Sequence, residues 1–134
     1  MGDLKREFKF ASLFSIIDNY YSLGCVIKQN KNSISMRKFE VKERGMNCIL
    51  SLVQKDRKYF HNNGYDYVWS RIMVVVKDGV NGYRWIAGQY EKSKVNSLRL
   101  SLDPGQYLVL VSGDWQKRVF EMTLNYQGNQ EISF

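Results

Sequence analysis

Two thiols and one imidazole are the side chains here best suited to covalent chemistry: Cys25, Cys48 and His61. A cysteine nucleophile needs a base within hydrogen-bond reach and a third group to orient that base. The base would have to be His61, which stands in the polar run His61-Asn62-Asn63-Gly64 and reads as a solvated loop residue. Cys48 falls on the apolar parity of an alternating strand pattern, where a thiol is normally buried and inert. Cys25 follows a helical pattern instead of opening one. No Cys-x-x-Cys occurs, and one His with two distant Cys makes no zinc ligand set. The expectation is a chain with no catalytic residue, no metal and no cofactor, with both thiols free in a reducing, intracellular compartment.

Calcium would need six to eight oxygens, drawn from several carboxylates in neighbouring loops. The aspartates are Asp3, Asp18, Asp56, Asp66, Asp78, Asp103 and Asp114, and no Asp-x-Asp pair occurs among them. Asp56, Asp78 and Asp114 each stand alone in or near a loop, and turn chemistry accounts for Asp78, Asp103 and Asp114.

Binding is better supplied than catalysis. Twenty Lys and Arg against thirteen Asp and Glu leave a net charge of +7, which favours an acidic partner. The cations cluster around Lys28 to Arg44 and again at Lys55 to Lys58. The residues expected to form a basic docking face are Arg37, Lys38, Lys42, Lys55, Arg57 and Lys58. In an extended strand Arg37 and Lys38 point to opposite sides, so one of them must serve as an edge or bulge residue. A second candidate surface is aromatic: Tyr65, Tyr67 and Trp69 on one side of a hairpin signal, Tyr83 and Trp85 on the other. Alternating aromatics on paired strands normally pack against each other in a core, but any left exposed would anchor an interface. Nucleic acid is disfavoured as a partner, since no Lys/Arg-Gly-Phe-Gly-Phe sheet motif is present.

The 134 residues that position these groups make one domain's worth of chain, with 44% apolar and 25% charged residues. The longest apolar run, Ile72 to Val76, is far short of the roughly 20 residues of a membrane span. Lys5, Arg6 and Lys9 interrupt any signal-peptide pattern, and Arg6 breaks a myristoylation motif. The Met1-Gly2-Asp3-Leu4-Lys5 lead favours a complete chain. Phe10, Leu13, Phe14, Ile17 and Tyr21 share one helical face, and Gly24 would end that helix. From Cys25 onward the period changes to two, and about eight short strands follow between turn residues. Among the turns, Asp78-Gly79-Val80-Asn81-Gly82 reads as a hairpin and Asp103-Pro104-Gly105 as a β-turn. The predicted architecture is all-β: residues 1–24 form an N-terminal helical segment, and residues 25–134 an antiparallel eight-strand β-sandwich.

A family resemblance appears at particular residues. Asn47-Cys48-Ile49-Leu50-Ser51-Leu52-Val53-Gln54-Lys55-Asp56-Arg57 resembles a calpain strand ending in a polar and basic stretch. Leu98-Arg99-Leu100-Ser101-Leu102-Asp103-Pro104-Gly105-Gln106-Tyr107-Leu108-Val109 resembles the family's Leu-rich strand, Pro-Gly turn and aliphatic strand. Asp114-Trp115 and Phe120 to Tyr126 are similar to the ends of calpain-like proteins of ciliates, and Phe10 to Val26 resembles the exit from the protease core. The resemblance implies the calpain-type sandwich, which is topologically similar to calcium- and phospholipid-binding sandwiches. It carries no protease activity, because the family's catalytic positions lie in a core with no counterpart here. It implies an adaptor or structural subunit of an intracellular, cytoplasmic assembly, with cytoskeleton and cilium as candidate locations and acidic tubulin tails as a candidate partner. Two alternatives are docking on an anionic membrane through the same basic residues, and regulation of a separate calpain-type protease core through the exposed apolar face of the N-terminal helix.

Overall fold

A computed structural model describes residues 21–29, 34–54, 67–114 and 120–134. These form eight strands: β1 (Tyr21–Gln29), β2 (Ile34–Val41), β3 (Met46–Gln54), β4 (Trp69–Asp78), β5 (Gly82–Lys92), β6 (Val95–Leu102), β7 (Gly105–Gly113) and β8 (Phe120–Gly128). All pairings are antiparallel, in two four-stranded sheets. The first sheet has the order β1-β8-β3-β6 and the second β2-β7-β4-β5. The chain is an antiparallel β-sandwich, as the turn spacing predicts. No helix of the described residues is long and apolar enough to cross a membrane.

The predicted helix over Phe10 to Ile17 lies outside the described residues. Its expected end does not: Tyr21 and Gly24 belong to β1, where Tyr21 pairs with Gly128 and Gly24 with Asn125. Tyr21 fits the end of the helical pattern and also opens the period-two run Tyr21, Leu23, Cys25 and Ile27, and pairing to β8 selects the strand. The sandwich thus already includes Tyr21 to Gly24, the first described residues, which the sequence places in the helical segment.

The core follows the alternation. The first sheet contributes Met46, Cys48, Leu50 and Leu52 from β3, Met122, Leu124 and Tyr126 from β8, Ile27 from β1, and Leu98, Leu100 and Leu102 from β6. Facing them from the second sheet are Phe39, Val41, Ile72, Val74, Val76, Tyr107, Val109 and Val111. Each fully buried side chain of this kind contributes about 1.5–3 kcal/mol, which is the main force holding the layers together. The two buried phenols find polar partners at the sandwich end: Tyr107 donates to the Asp103 carbonyl and Tyr126 to that of Gln130.

Polar side chains join the layers on the side where β6 meets β4 and β5. Buried Asn96 donates from Nδ2 to the Ser70 carbonyl at 3.0 Å and the Gln89 carbonyl at 3.2 Å. Buried Gln54 accepts from the Val68 amide at 3.1 Å and donates to the Val68 and Ser93 carbonyls at 2.9 and 3.3 Å.

Candidate functional site

Period two determines which residues share a face, and strands with apolar residues on both parities leave one apolar set outside. In β4, Ser70, Ile72, Val74 and Val76 point into the core. Trp69, Arg71, Met73, Val75 and Lys77 therefore point outward. In β7 the outward set is Gln106, Leu108, Leu110 and Ser112, and in β2 it is Ile34, Met36, Lys38 and Glu40. The outer face of the second sheet is thus apolar through its middle.

A bulge completes this face. The β4–β5 register pairs Val75 with Trp85 but Val74 with Ala87, so Ile86 is an extra residue in β5. The insertion switches parity along β5. Tyr83 and Trp85 face outward on one side of it, and Tyr90, of opposite parity, also faces outward on the other, opposite Arg71. Without the extra residue Tyr90 would turn toward the core.

The register lays these residues out in rows across the sheet. One row is Lys38, Leu108, Val75 and Trp85. The next is Met36, Leu110, Met73 and Gly88, and beyond it lie Ile34, Ser112, Arg71 and Tyr90. Met36 is 57% exposed and Trp85 62%, whereas Leu108, Leu110, Met73 and Val75 are half-buried. Gly88 has no side chain to lift the neighbouring ring: a Cβ there would lie 3.4 Å from Trp85 Nε1, so the indole rests across this position. Trp69 stacks on Tyr90 with centroids 4.9 Å apart, and the Arg71 guanidinium lies 5.0 Å from the Tyr90 centroid. The outward charges are Lys38, Arg71, Lys77 and Lys92 against Glu40, so the rim is basic.

The outer face of the first sheet is different. It presents short polar groups, including Ser22, Thr123, Asn125, Ser51 and Ser97, with the Ser51 and Ser97 hydroxyls 3.0 Å apart, and its apolar residues, Val26, Ile49, Val53 and Val95, are aliphatic and carry no aromatic ring. Lys28 and Glu121 pair across it at 3.4 Å. Only large contiguous apolar patches require explanation, and here that requirement falls on the second sheet.

The expected basic face divides. Lys38 lies on the outer face of the second sheet. Arg37, its neighbour of opposite parity, turns to the other side, where its Nη1 donates to the Met36 carbonyl at 2.9 Å. Lys42 is exposed just past the end of β2. Lys55, Arg57 and Lys58 lie outside the described residues, as do His61 and Tyr65. Of the aromatic candidates, Trp69, Tyr83 and Trp85 share the exposed face, and Tyr67 is half-buried just before β4. Alternating aromatics suggested a core, but Ile72, Val74 and Val76 occupy that position from the other parity of β4. Ile34, Met36, Met73, Leu108, Leu110 and Tyr90 join the surface without having been anticipated. The doubly apolar runs Ile72 to Val76 and Tyr107 to Val111 carried the signal, since a sandwich strand has only one core-facing side.

The thiols offer no nucleophilic arrangement among the described residues. Cys48 is buried, and desolvation pushes its pKa up from 9.0 to about 12. Cys25 is half-buried in β1, opposite Leu124. Among the described residues no group of three or more His, Cys, Asp or Glu is placed to hold a metal ion. Asp78 lies near Arg84 at 4.0 Å, and Asp103 provides its carbonyl to Tyr107.

A protein of Sulfurospirillum deleyianum has a similar crystal structure, with a TM-score of 0.51 and 14% identity over 84% of this chain and 99% of that one. The Yersinia pseudotuberculosis-derived mitogen aligns with a TM-score of 0.48 and 12% identity, over 84% of this chain and 86% of that one. At such identities the likeness to the first extends to the fold alone. No family model matches the chain, and no curated protein matches it.

Proposed function

We propose that the chain is a non-catalytic binding module, an adaptor or structural subunit that docks an acidic protein surface through the outer face of its second sheet. The observation that carries this reading is the exposed apolar face, bounded by Trp69, Tyr83, Trp85 and Tyr90 and rimmed by Lys38, Arg71, Lys77 and Lys92. Protein interfaces have this anatomy: an apolar centre enriched in aromatic residues and Met, with a polar rim. The calpain-type resemblance adds a direction, toward a cytoskeletal or ciliary assembly in which acidic tubulin tails would suit the charge.

The test is affinity purification of the tagged chain from its source cell, in parallel with a Met36→Glu/Trp85→Glu variant. A stoichiometric partner set that survives moderate salt with the native chain and is absent with the variant supports the reading. An identical set with both proteins sinks it. The second reading is an anionic-lipid module, favoured by the combination of exposed Trp and Tyr rings with neighbouring lysines on one face. Pelleting with phosphatidylserine vesicles, abolished by the same variant, would select it.

A further inference from the structure

The geometry points to an acidic amphipathic helix of a partner protein as the occupant of the second sheet's outer face. This rests on the docking role proposed above and specifies what docks. The face has a less exposed apolar middle between two more exposed edge strands. The middle is β7 and β4, with half-buried Leu108, Leu110, Met73 and Val75. One edge is β2, with exposed Ile34 and Met36, and the other is β5, with exposed Tyr83, Trp85 and Tyr90. The edges are three strand spacings apart, about 14 Å. An α-helix with its side chains is about 10–12 Å across, so one laid along β7 and β4 would cover the middle of the face and reach the side chains of both edge strands. From Arg71 to Lys77 the middle runs about 20 Å at the rise of a strand. That length matches roughly 13 helical residues, enough for apolar anchors at i, i+3, i+4 and i+7 along it.

Charge selects the helix. Lys38 and Lys77 flank one end of the face, and Arg71 and Lys92 the other, against Glu40 at the first end and Asp114 at the second. A second copy of the chain would bring these cations against their own counterparts, which argues against a face-to-face dimer. Single-stranded nucleic acid would need stackable rings across the face, whereas here the rings gather on β5 and the start of β4, and Leu108, Leu110, Met73 and Val75 in the middle carry none. Carboxylates bordering an apolar helical stripe satisfy both the middle and the rim.

The experiment is selection of a displayed library of random 16-residue peptides on the full chain, followed by affinity measurement with the synthetic winners. The expected winners carry apolar residues at helical spacing flanked by Asp and Glu, and become helical by circular dichroism on binding. Lys38→Glu/Lys77→Glu should weaken them about tenfold or more, and peptides with Lys in place of Glu should recover that loss. Met36→Glu should abolish binding while leaving the melting temperature unchanged within a few degrees. Winners with two-residue alternation, winners indifferent to these substitutions, or no winners at all overturn the inference. So does a stable dimer through this face at physiological salt, or preferential capture of the face by phosphatidylserine vesicles. If Met36→Glu/Trp85→Glu loses its cellular partners while no acidic helical peptide binds, the docking face stands and the helical occupant falls. If the partners are retained, the docking face itself falls.

Discussion

Cys48 lies between Leu100 on one neighbouring strand and Gly128 on the other, with 1% of its surface exposed. Burial disfavours the thiolate and lifts the pKa to about 12 from the 9.0 of a free thiol. An acid whose folded pKa is raised stabilises the fold below its unfolded pKa, and that stability is lost as pH climbs toward the folded value. Stability should therefore fall by about 1.4 kcal/mol per pH unit from this group between roughly pH 9 and 12. The raised pKa of buried Tyr126 acts in the same direction. Urea midpoints measured from pH 7 to 11 should show this slope, and Cys48→Ala should flatten it despite a lower starting stability. With a disulfide-exchange reagent at pH 8, Cys48 should react only after denaturant is added. Methionine oxidation reads the candidate surface in the same way. Met36 is 57% exposed while Met46 and Met122 are 0% and 1% exposed. Limited peroxide treatment followed by peptide mass mapping should oxidise Met36 well before the two core methionines; equal rates would contradict the assigned face.

Three local features that composition does not reveal hold particular elements in place. β8 ends at Gly128, where an added Cβ would collide with the Tyr126 phenol and lie 2.9 Å from the Cys48 Cβ. Gly128→Ala must displace a fully buried ring, so a loss of about 2–4 kcal/mol in chemical denaturation is expected. The start of β4 and the β5–β6 turn are tied to the end of β3 by Gln54. Gln54→Leu keeps the volume but leaves the Val68 amide and two carbonyls without this partner. The expected cost is about 2 kcal/mol, with faster hydrogen exchange at Val68. The bulge at Ile86 is the third such feature, because it brings Tyr90 onto the face that already holds Tyr83 and Trp85.

For the molecule as a whole, the two outer faces divide the labour. One is mixed, with polar groups, a few valines and the Lys28–Glu121 pair, and the other is apolar and aromatic with a basic rim, in a chain of net charge +7. Repulsion between the basic rims should keep the chain monomeric in dilute salt. At about 1 M salt the screening length shrinks to roughly 3 Å, and the apolar faces should begin to associate. Sedimentation velocity at about 0.05 M and 1 M salt should register this shift, and the Met36→Glu/Trp85→Glu variant should not show it. Association strongest in dilute salt would contradict the assigned charge distribution.

The strand count, the turns and most of the core were legible in the residues, because period-two alternation and turn chemistry are local properties. Met46, Cys48, Leu50 and Leu52 occupy the buried side that their spacing predicts. Local pattern was ambiguous where two periods fit the same residue, as at Tyr21, and pairing with β8 resolved it. The candidate surface was legible only in part. Trp69, Tyr83, Trp85 and Lys38 were singled out by type, but which side of β4 faces the core depends on which sheet covers it. Ile72 and Met73 are equally apolar neighbours, and packing against the first sheet buries one and leaves the other on the outer face. Likewise, no local signal marks Ile86 as an extra residue, since a bulge exists only relative to the partner strand. Arg37 and Lys38 part for the same reason: adjacency along a strand places residues on opposite faces, and a surface is assembled across strands by register.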